Sequence, residues 1–409
     1  MEHLFNGAIT PKLHYSMLVL KNMNDTKEPF QIEQGPIRPP SEAQSLLIRV
    51  TRNCTWGKCQ FCHNYLKTRF SRRTVEEVKR EIETIKKVHD EIKGISLNCG
   101  YNGTINREVV KFIYKNPHLY GDLYRNTAAW LYSGGKQVFL QDANSLTIKT
   151  ADLIDIITFL KETFPQVNRI TSYARAKTIA KKPLKDLEAI RKAGLSRLHI
   201  GLETGFDPLL EYMRKGVTSK DHIEAGSKVK QSGISLSEYV VLGLGGKKWW
   251  KEHALETAKV LSKINPDFIR VRTLTIIPDM PLYNKLVSGE FSMLSEEGIV
   301  KEERLLIEHL EGITSTFMSD HILNLLEEVK GTLPEEKEKM LNTIDRYLAL
   351  SDEEKIIFNL GKRMHYFRTL NDFNTPFRIK KAERTLQKIE EENPEAVEEI
   401  CHNLRGRFI

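Results

Sequence analysis

From Gln137 onward one strand pattern and one helix pattern recur about every 30 to 40 residues, and this rhythm leaves few folds open. The strands are read at Gln137–Gln141, Arg169–Tyr173, Arg197–Leu202, Leu236–Leu242 and Phe268–Leu274. Between them lie helix patterns at Ala151–Phe164, Pro183–Ala193, Ser219–Ser232 and Lys251–Ile264. Gly194, Gly233 and the pair Asn265-Pro266 supply the stop signals. Repeated βα units imply a parallel sheet with helices outside it. An earlier strand, Ser45–Thr51, and a helix whose apolar stripe runs Val75, Val78, Ile82, Ile85, Val88, Ile92 precede them. Thr74 with Glu77 makes a capping box for that helix. The reading is therefore α/β: a partial (β/α)6 TIM-type barrel with a helical C-terminal extension.

The expected organisation is an N-terminal arm over 1–45, a barrel over 46–288 and a charged helical region over 289–409. The arm's Pro39-Pro40 pair rules out interior helix or strand. An aperiodic stretch of about 94–135 reads as an insertion reaching over the barrel mouth, with Ile95–Leu97 as an additional short strand. In the C-terminal region Asp320, His321 and Asn324 have helical spacing.

No apolar run is long enough to span a bilayer, and Met1–Lys12 lacks a signal-peptide pattern, so the expectation is a cytoplasmic protein without membrane contact. Lys and Arg outnumber Asp and Glu by 62 to 54, a net charge of +8. The excess favours anionic partners, nucleic acid included, but it is mixed along the chain, as on an ordinary solvated surface.

Three of the five cysteines fall in Cys54-Thr-Trp-Gly-Lys-Cys59-Gln-Phe-Cys62, directly after the first strand. Clustered cysteines in a reducing compartment point to metal, not to a disulfide framework. Three thiolates can ligate three corners of a cubane iron–sulfur cluster and leave the fourth iron open. The other reading is zinc held by the same cysteines and a histidine such as His63. Cys99 and Cys401 stand apart from this loop in sequence.

A C-x3-C-x-aromatic-C loop after the first strand of a βα barrel is the signature of radical S-adenosylmethionine (SAM) enzymes. This chain resembles them, with Phe61 at the aromatic position and one extra residue between the first two cysteines. The likeness covers roughly residues 45–285 and extends distantly to oxygen-independent coproporphyrinogen III oxidase-like proteins, although Asn64 stands where those carry a further cysteine.

The resemblance implies a [4Fe–4S] cluster on Cys54, Cys59 and Cys62, with S-adenosylmethionine as second cofactor. It places Asp142 and Asn144, after the second strand, on the cofactor's amino group; a polar loop cap is the bland reading. Arg175 would clamp the carboxylate, or else form a salt bridge between elements. Glu203 would hold the ribose diol. Gly243, in a glycine-rich turn, would let the backbone approach adenine. Arg270 and Arg272 share a strand face, to meet an anionic substrate or to pair with carboxylates. His199 and His253 read as structural.

The implied reaction is reductive cleavage of SAM to a 5′-deoxyadenosyl radical that abstracts hydrogen from a substrate. An external electron donor of flavodoxin or ferredoxin type would be a partner. Two other classes stay open: a non-catalytic carrier of a cluster, SAM or a tetrapyrrole, and a zinc-stabilised nucleic-acid-binding protein.

Overall fold

The computed structural model describes residues 32–392 and 397–406. The fold is α/β, with a mostly parallel eight-stranded sheet and helices. The residues divide into two compact units, the first holding the chain up to Arg52, Phe70–Ser172 and Lys192–Ser196, the second the remainder.

The first unit begins with a single 3-10 turn at Pro40–Glu42, the one helical role that Pro40 permits. Residues 1–31 of the expected arm lie outside the described residues. Strand β1 (Leu46–Arg49) and the short antiparallel pair β2 (Thr51–Arg52) and β3 (Ser71–Arg72) follow. Helix α1 (Val75–Asn98) carries the expected Thr74/Glu77 capping box, and Val78, Ile82, Ile85, Val88 and Ile92 are fully buried.

One expectation fails here. Ile95–Leu97 is not a strand, because buried Ile95 continues the stripe from Ile92 and the helix runs on. The segment read as an insertion is helical, forming α2 (Arg107–Lys115) and α3 (Asp122–Tyr132), with α3 packed on α1 and α2 on α3. Its buried positions include Thr127 and Ala128, residues too small or polar to show a period. Asn106 starts α2 by accepting from the Glu108 and Val109 amides. Strand β4 (Gln137–Gln141), helix α4 (Thr150–Thr163) and strand β5 (Arg169–Ala174) complete the order β1-β4-β5, all parallel. Val138, Phe139 and Leu140 are all buried, as both faces of a parallel strand must be.

The second unit holds α5 (Ala176–Lys181), α6 (Leu184–Ala193), β6 (Leu195–Glu203), α7 (Asp207–Tyr212), α8 (Ser219–Gln231), β7 (Ser235–Leu242), α9 (Gly246–Ile264) and β8 (Phe268–Thr273). Asn265 adopts the left-handed conformation and ends α9 ahead of Pro266. Helices α10 (Pro281–Val287) and α11 (Glu296–Glu308) lead to β9 (Thr316–Met318) and β10 (Lys330–Thr332). Helices α12 (Lys337–Leu348), α13 (Asp352–Arg363), α14 (Pro376–Glu392) and α15 (Val397–Gly406) close the chain.

The strand order is β6-β7-β8-β9-β10, parallel except for the last pair. Beyond residue 289 the chain is therefore not helical throughout. Strands of three residues are too short to register as an alternation. Asp320, His321 and Asn324 lie in the loop after β9, not on a helix. Asn324 is buried and braces β8, accepting from the Thr273 amide at 2.7 Å and donating to the Val271 carbonyl at 2.9 Å.

Candidate active site

The cysteine loop, Asn53–Arg69, belongs wholly to the second unit. Asn53 stands at φ 65 and its side-chain amide donates to the Arg69 carbonyl at 2.7 Å, which ties the two ends of the loop together. The Gln60 amide donates to Met213 O, and Gln60 O accepts from the Leu282 amide, each at 2.9 Å. Phe61 is buried in a cluster with Leu209, Met213, Val241, Leu274 and Leu282. The aromatic position of the motif is thus an apolar anchor that fixes the loop to the ends of β7 and β8.

Trp56 supplies a second anchor. Its indole N–H donates to Arg214 O at 2.6 Å, and Arg175 stands 5.2 Å above its ring. Gly216 is held at φ +68, and a Cβ there would overlap the Trp56 ring.

Cys54, Cys59 and Cys62 are all free thiols, partly buried. Burial pushes the Cys59 thiol up to about 11, while Lys215 and Arg175 pull it down. Burial also raises Cys62, opposed by the Tyr65 and Asn64 amides. Such thiols stay protonated until a metal displaces the protons. Among the described residues no three Cys, His, Asp or Glu side chains converge to share a single metal ion. Three cysteine thiols on one short loop are the donor set of a cubane with one corner left open. The donor set fits the cluster.

Two cations flank the thiols. Lys215 pairs with Glu203 at 2.7 Å and lies 5.8 Å from the Phe61 ring centroid. Burial works against its ammonium, but Glu203 and Cys59 outweigh that and hold its pKa above the ordinary lysine value. Arg175, at the end of β5, donates to Lys215 O at 2.7 Å. Burial lowers its pKa, with the charges of Cys54 and Cys59 opposing. Glu203 occupies a left-handed backbone position, φ 65, and a side chain at Gly201 would collide with its carboxylate. Lys215 escaped the sequence reading because it follows a short helix and meets the cysteines only through the fold. The Lys215-Gly216 pair, a cation before a glycine, was its one local signal.

Beneath this pair lie two neutral groups. Glu238 is fully buried, and burial and then Glu203 raise its pKa well above the usual carboxylate range. Burial, Lys215 and Arg175 drive His222 down to about 3.

The remaining expected residues have partners of their own. In the first unit Asp142 and Asn144 are fully buried, and Asp142 is ion-paired with Arg49 at 2.9 Å. Gly35 packs against its carboxylate, where a Cβ would lie 3.0 Å from Asp142 Oδ1. Holding a ligand's ammonium would require that pair to open. Gly243 is buried at φ +80, and its amide donates to Glu302 at 2.6 Å. Its glycine therefore answers first to the turn. His253 is buried, bonded to Thr204 Oγ1 at 2.8 Å and Val241 O at 3.1 Å.

Residues 48–261, just over half of the chain, match the family model described as "Radical SAM superfamily". The chain belongs to the radical SAM superfamily. The cofactors of that superfamily are a [4Fe–4S] cluster and S-adenosylmethionine, and its members are enzymes that require a reductant and a substrate.

Among relatives, the chain is 27% identical over 123 residues to tRNA uridine(34) acetyltransferase of Methanocaldococcus jannaschii. That match covers 29% of this chain and 22% of the acetyltransferase, so the chain spans about a fifth of the relative's length. Among solved structures, it is similar to the Methanocaldococcus infernus Elp3 with N-terminal deletion, at 15% identity over 55% of each chain and a TM-score of 0.38. It is also similar to coproporphyrinogen III oxidase from Escherichia coli, at 13% identity over 71% of this chain and 61% of that one, with a TM-score of 0.39. Among the described residues no helix is long and apolar enough to cross a membrane.

Proposed function

We propose that this radical SAM protein is an enzyme that cleaves S-adenosylmethionine reductively and uses the resulting radical to take hydrogen from a substrate. The observation that carries the reading is the presence on one loop of three free, partly buried thiols, with the charges of Lys215 and Arg175 acting on them. Cys54, Cys59 and Cys62 would hold the cluster, which would supply the electron for reductive cleavage of the cofactor's S–C5′ bond.

The chain's own residues bind, orient and shield. Arg175 and Lys215 offset the negative charge of the thiolates in a setting that burial has stripped of water. Arg175, with its planar fork, is the residue suited to a carboxylate. Glu203 presents two acceptor oxygens to a ribose diol, with Lys215 holding the carboxylate in place. Phe61 and Trp56 close the loop against its supports and keep water away from the thiols. Asp142, paired with Arg49, braces the end of β4, and Glu302 accepts from the Gly243 amide in the turn after β7.

The test is anaerobic reconstitution followed by incubation with dithionite and SAM, with 5′-deoxyadenosine as the readout. Wild type forms the nucleoside and Cys59→Ala does not. Iron-loaded protein that binds SAM and yields no nucleoside under any reductant would favour a carrier. Zinc in place of iron would overturn the reading.

A further inference from the structure

Strands β6, β7 and β8 present two faces of opposite character. On one, Ile200, Leu202, Leu236, Val240, Ile269 and Val271 are buried and apolar, with Glu238 the buried exception, and α8 and α11 pack against β7. The other face is set by the register. Gly201 lies opposite Tyr239, Tyr239 opposite Arg270, and Val241 opposite Arg272. His199, two residues before Gly201, therefore shares this face with Tyr239, Arg270 and Arg272. Its ring stands 5.9 Å from Tyr173 and 6.0 Å from Tyr239. Parallel barrels usually fill such a face with branched apolar side chains; here it carries aromatic rings, an imidazole and two guanidinium groups.

The cysteine loop stands at the end of this face. Val241, the strand partner of Arg272, packs in the same apolar cluster as Phe61.

The two arginines are not equivalent. Arg270 is buried and has an acidic neighbour, Asp320, at 3.6 Å. Arg272 makes no hydrogen bond or ion pair among the described residues, and its Nε is shut off from solvent without an acceptor. The nearby His321 does not neutralise it: burial and then the Arg272 charge depress that imidazole to about 4. A guanidinium drawn partly out of water without a counter-charge is costly to keep, and an anion brought from outside removes that cost.

We propose that this face is the substrate subsite of the reaction above, and that the substrate carries a carboxylate or phosphate group which docks on Arg272. The proposal rests on the radical SAM reading for the chemistry but not for the binding. The planar fork of Arg272 takes either anion through paired hydrogen bonds. Tyr173 and Tyr239, partly exposed and packed against the fully buried His199, offer flat apolar surface to the body of the same molecule. Anchored there, the substrate extends along the strands toward the cysteine loop.

Isothermal titration of the reconstituted protein with SAM present and no reductant tests this, with benzoate, phenyl phosphate and neutral benzamide as probes. At least one anion should bind ten-fold or more tighter than benzamide, and the tighter of the two assigns carboxylate or phosphate. Arg272→Gln should cost the anion ten-fold or more and leave benzamide and SAM affinities within two-fold. Arg272→Lys should keep part of the anion preference. Anions binding no tighter than benzamide, or an anion affinity unchanged in Arg272→Gln, would overturn the subsite. A failure to form 5′-deoxyadenosine while the anion preference stands would count against the radical chemistry alone.

Discussion

Asp142 and Glu203 both end a parallel strand, and from sequence both are offered to the cofactor. The structure separates them. Asp142 is fully buried, and its charge is spent on Arg49 at 2.9 Å. Glu203 keeps 15% of its side chain exposed, sits in a left-handed backbone position, and holds a lysine that also faces Cys59. A carboxylate whose charge is cancelled by an arginine of the neighbouring strand braces the two strand ends. One held in a constrained backbone position beside a cation that also faces a cysteine is the one we propose for the ligand. Place in the fold nominates a residue; its partner and exposure decide its work.

The largest effect that tests this contrast is on stability. Asp142→Asn leaves the Arg49 guanidinium, only 12% exposed, without its buried counter-charge, and should cost about 3 kcal/mol in denaturant unfolding. The SAM cleavage rate per folded molecule should stay near that of wild type. A folded Asp142→Asn protein that no longer cleaves SAM would return Asp142 to the cofactor and erase the contrast.

Glu203→Gln should do the reverse. Removing a charged acceptor should weaken SAM binding about 10- to 100-fold by equilibrium titration. Unchanged affinity and cleavage would remove Glu203 from the site.

Gly216→Ala sharpens the account of the loop. A side chain at a left-handed position that overlaps Trp56 should cost about 1–2 kcal/mol. The damage should appear as lower iron content per chain, because Trp56 anchors the cysteine loop. Iron loading equal to wild type would show that the loop closes without that anchor.

The smallest expected effect concerns a third strand end. Glu302 holds the Gly243 turn, and burial raises its pKa to about 8 from an ordinary value of 4.5. The folded state then binds the proton that the unfolded chain has released. The stability this group contributes is complete below about pH 4.5 and is lost as pH rises toward 8. Glu302→Gln should flatten that part of the fall in a series of unfolding curves; an unchanged slope would contradict the assignment.

The sequence showed well what is local and repeated. Strand β4 lies where its pattern placed it, and the Thr74 cap and the stripe from Val78 to Ile92 start and bury α1 as read. The spacing of Cys54, Cys59 and Cys62 named the family before any geometry. What stayed hidden depends on contacts between distant segments. Helix α3 buries small and polar residues such as Thr127 and Ala128, and α2 is so short that only Val109 and Ile113 mark its buried side. Strands β9 and β10 are three residues each. Lys215 reaches Glu203 and Cys59, and Gly216 makes room for Trp56, only after three segments have folded together. The same holds for Asp142, whose partner Arg49 lies 93 residues away.

The central claim is that three thiols of one loop hold a four-iron cluster with one iron free for SAM. Its most direct test is low-temperature electron paramagnetic resonance of the reconstituted, dithionite-reduced protein before and after SAM, with iron and sulfide measured on the same sample. The account predicts about four irons and four sulfides per chain and a reduced-cluster signal that shifts when SAM is added. A signal indifferent to SAM, or a loop that takes up zinc in place of iron, would contradict it.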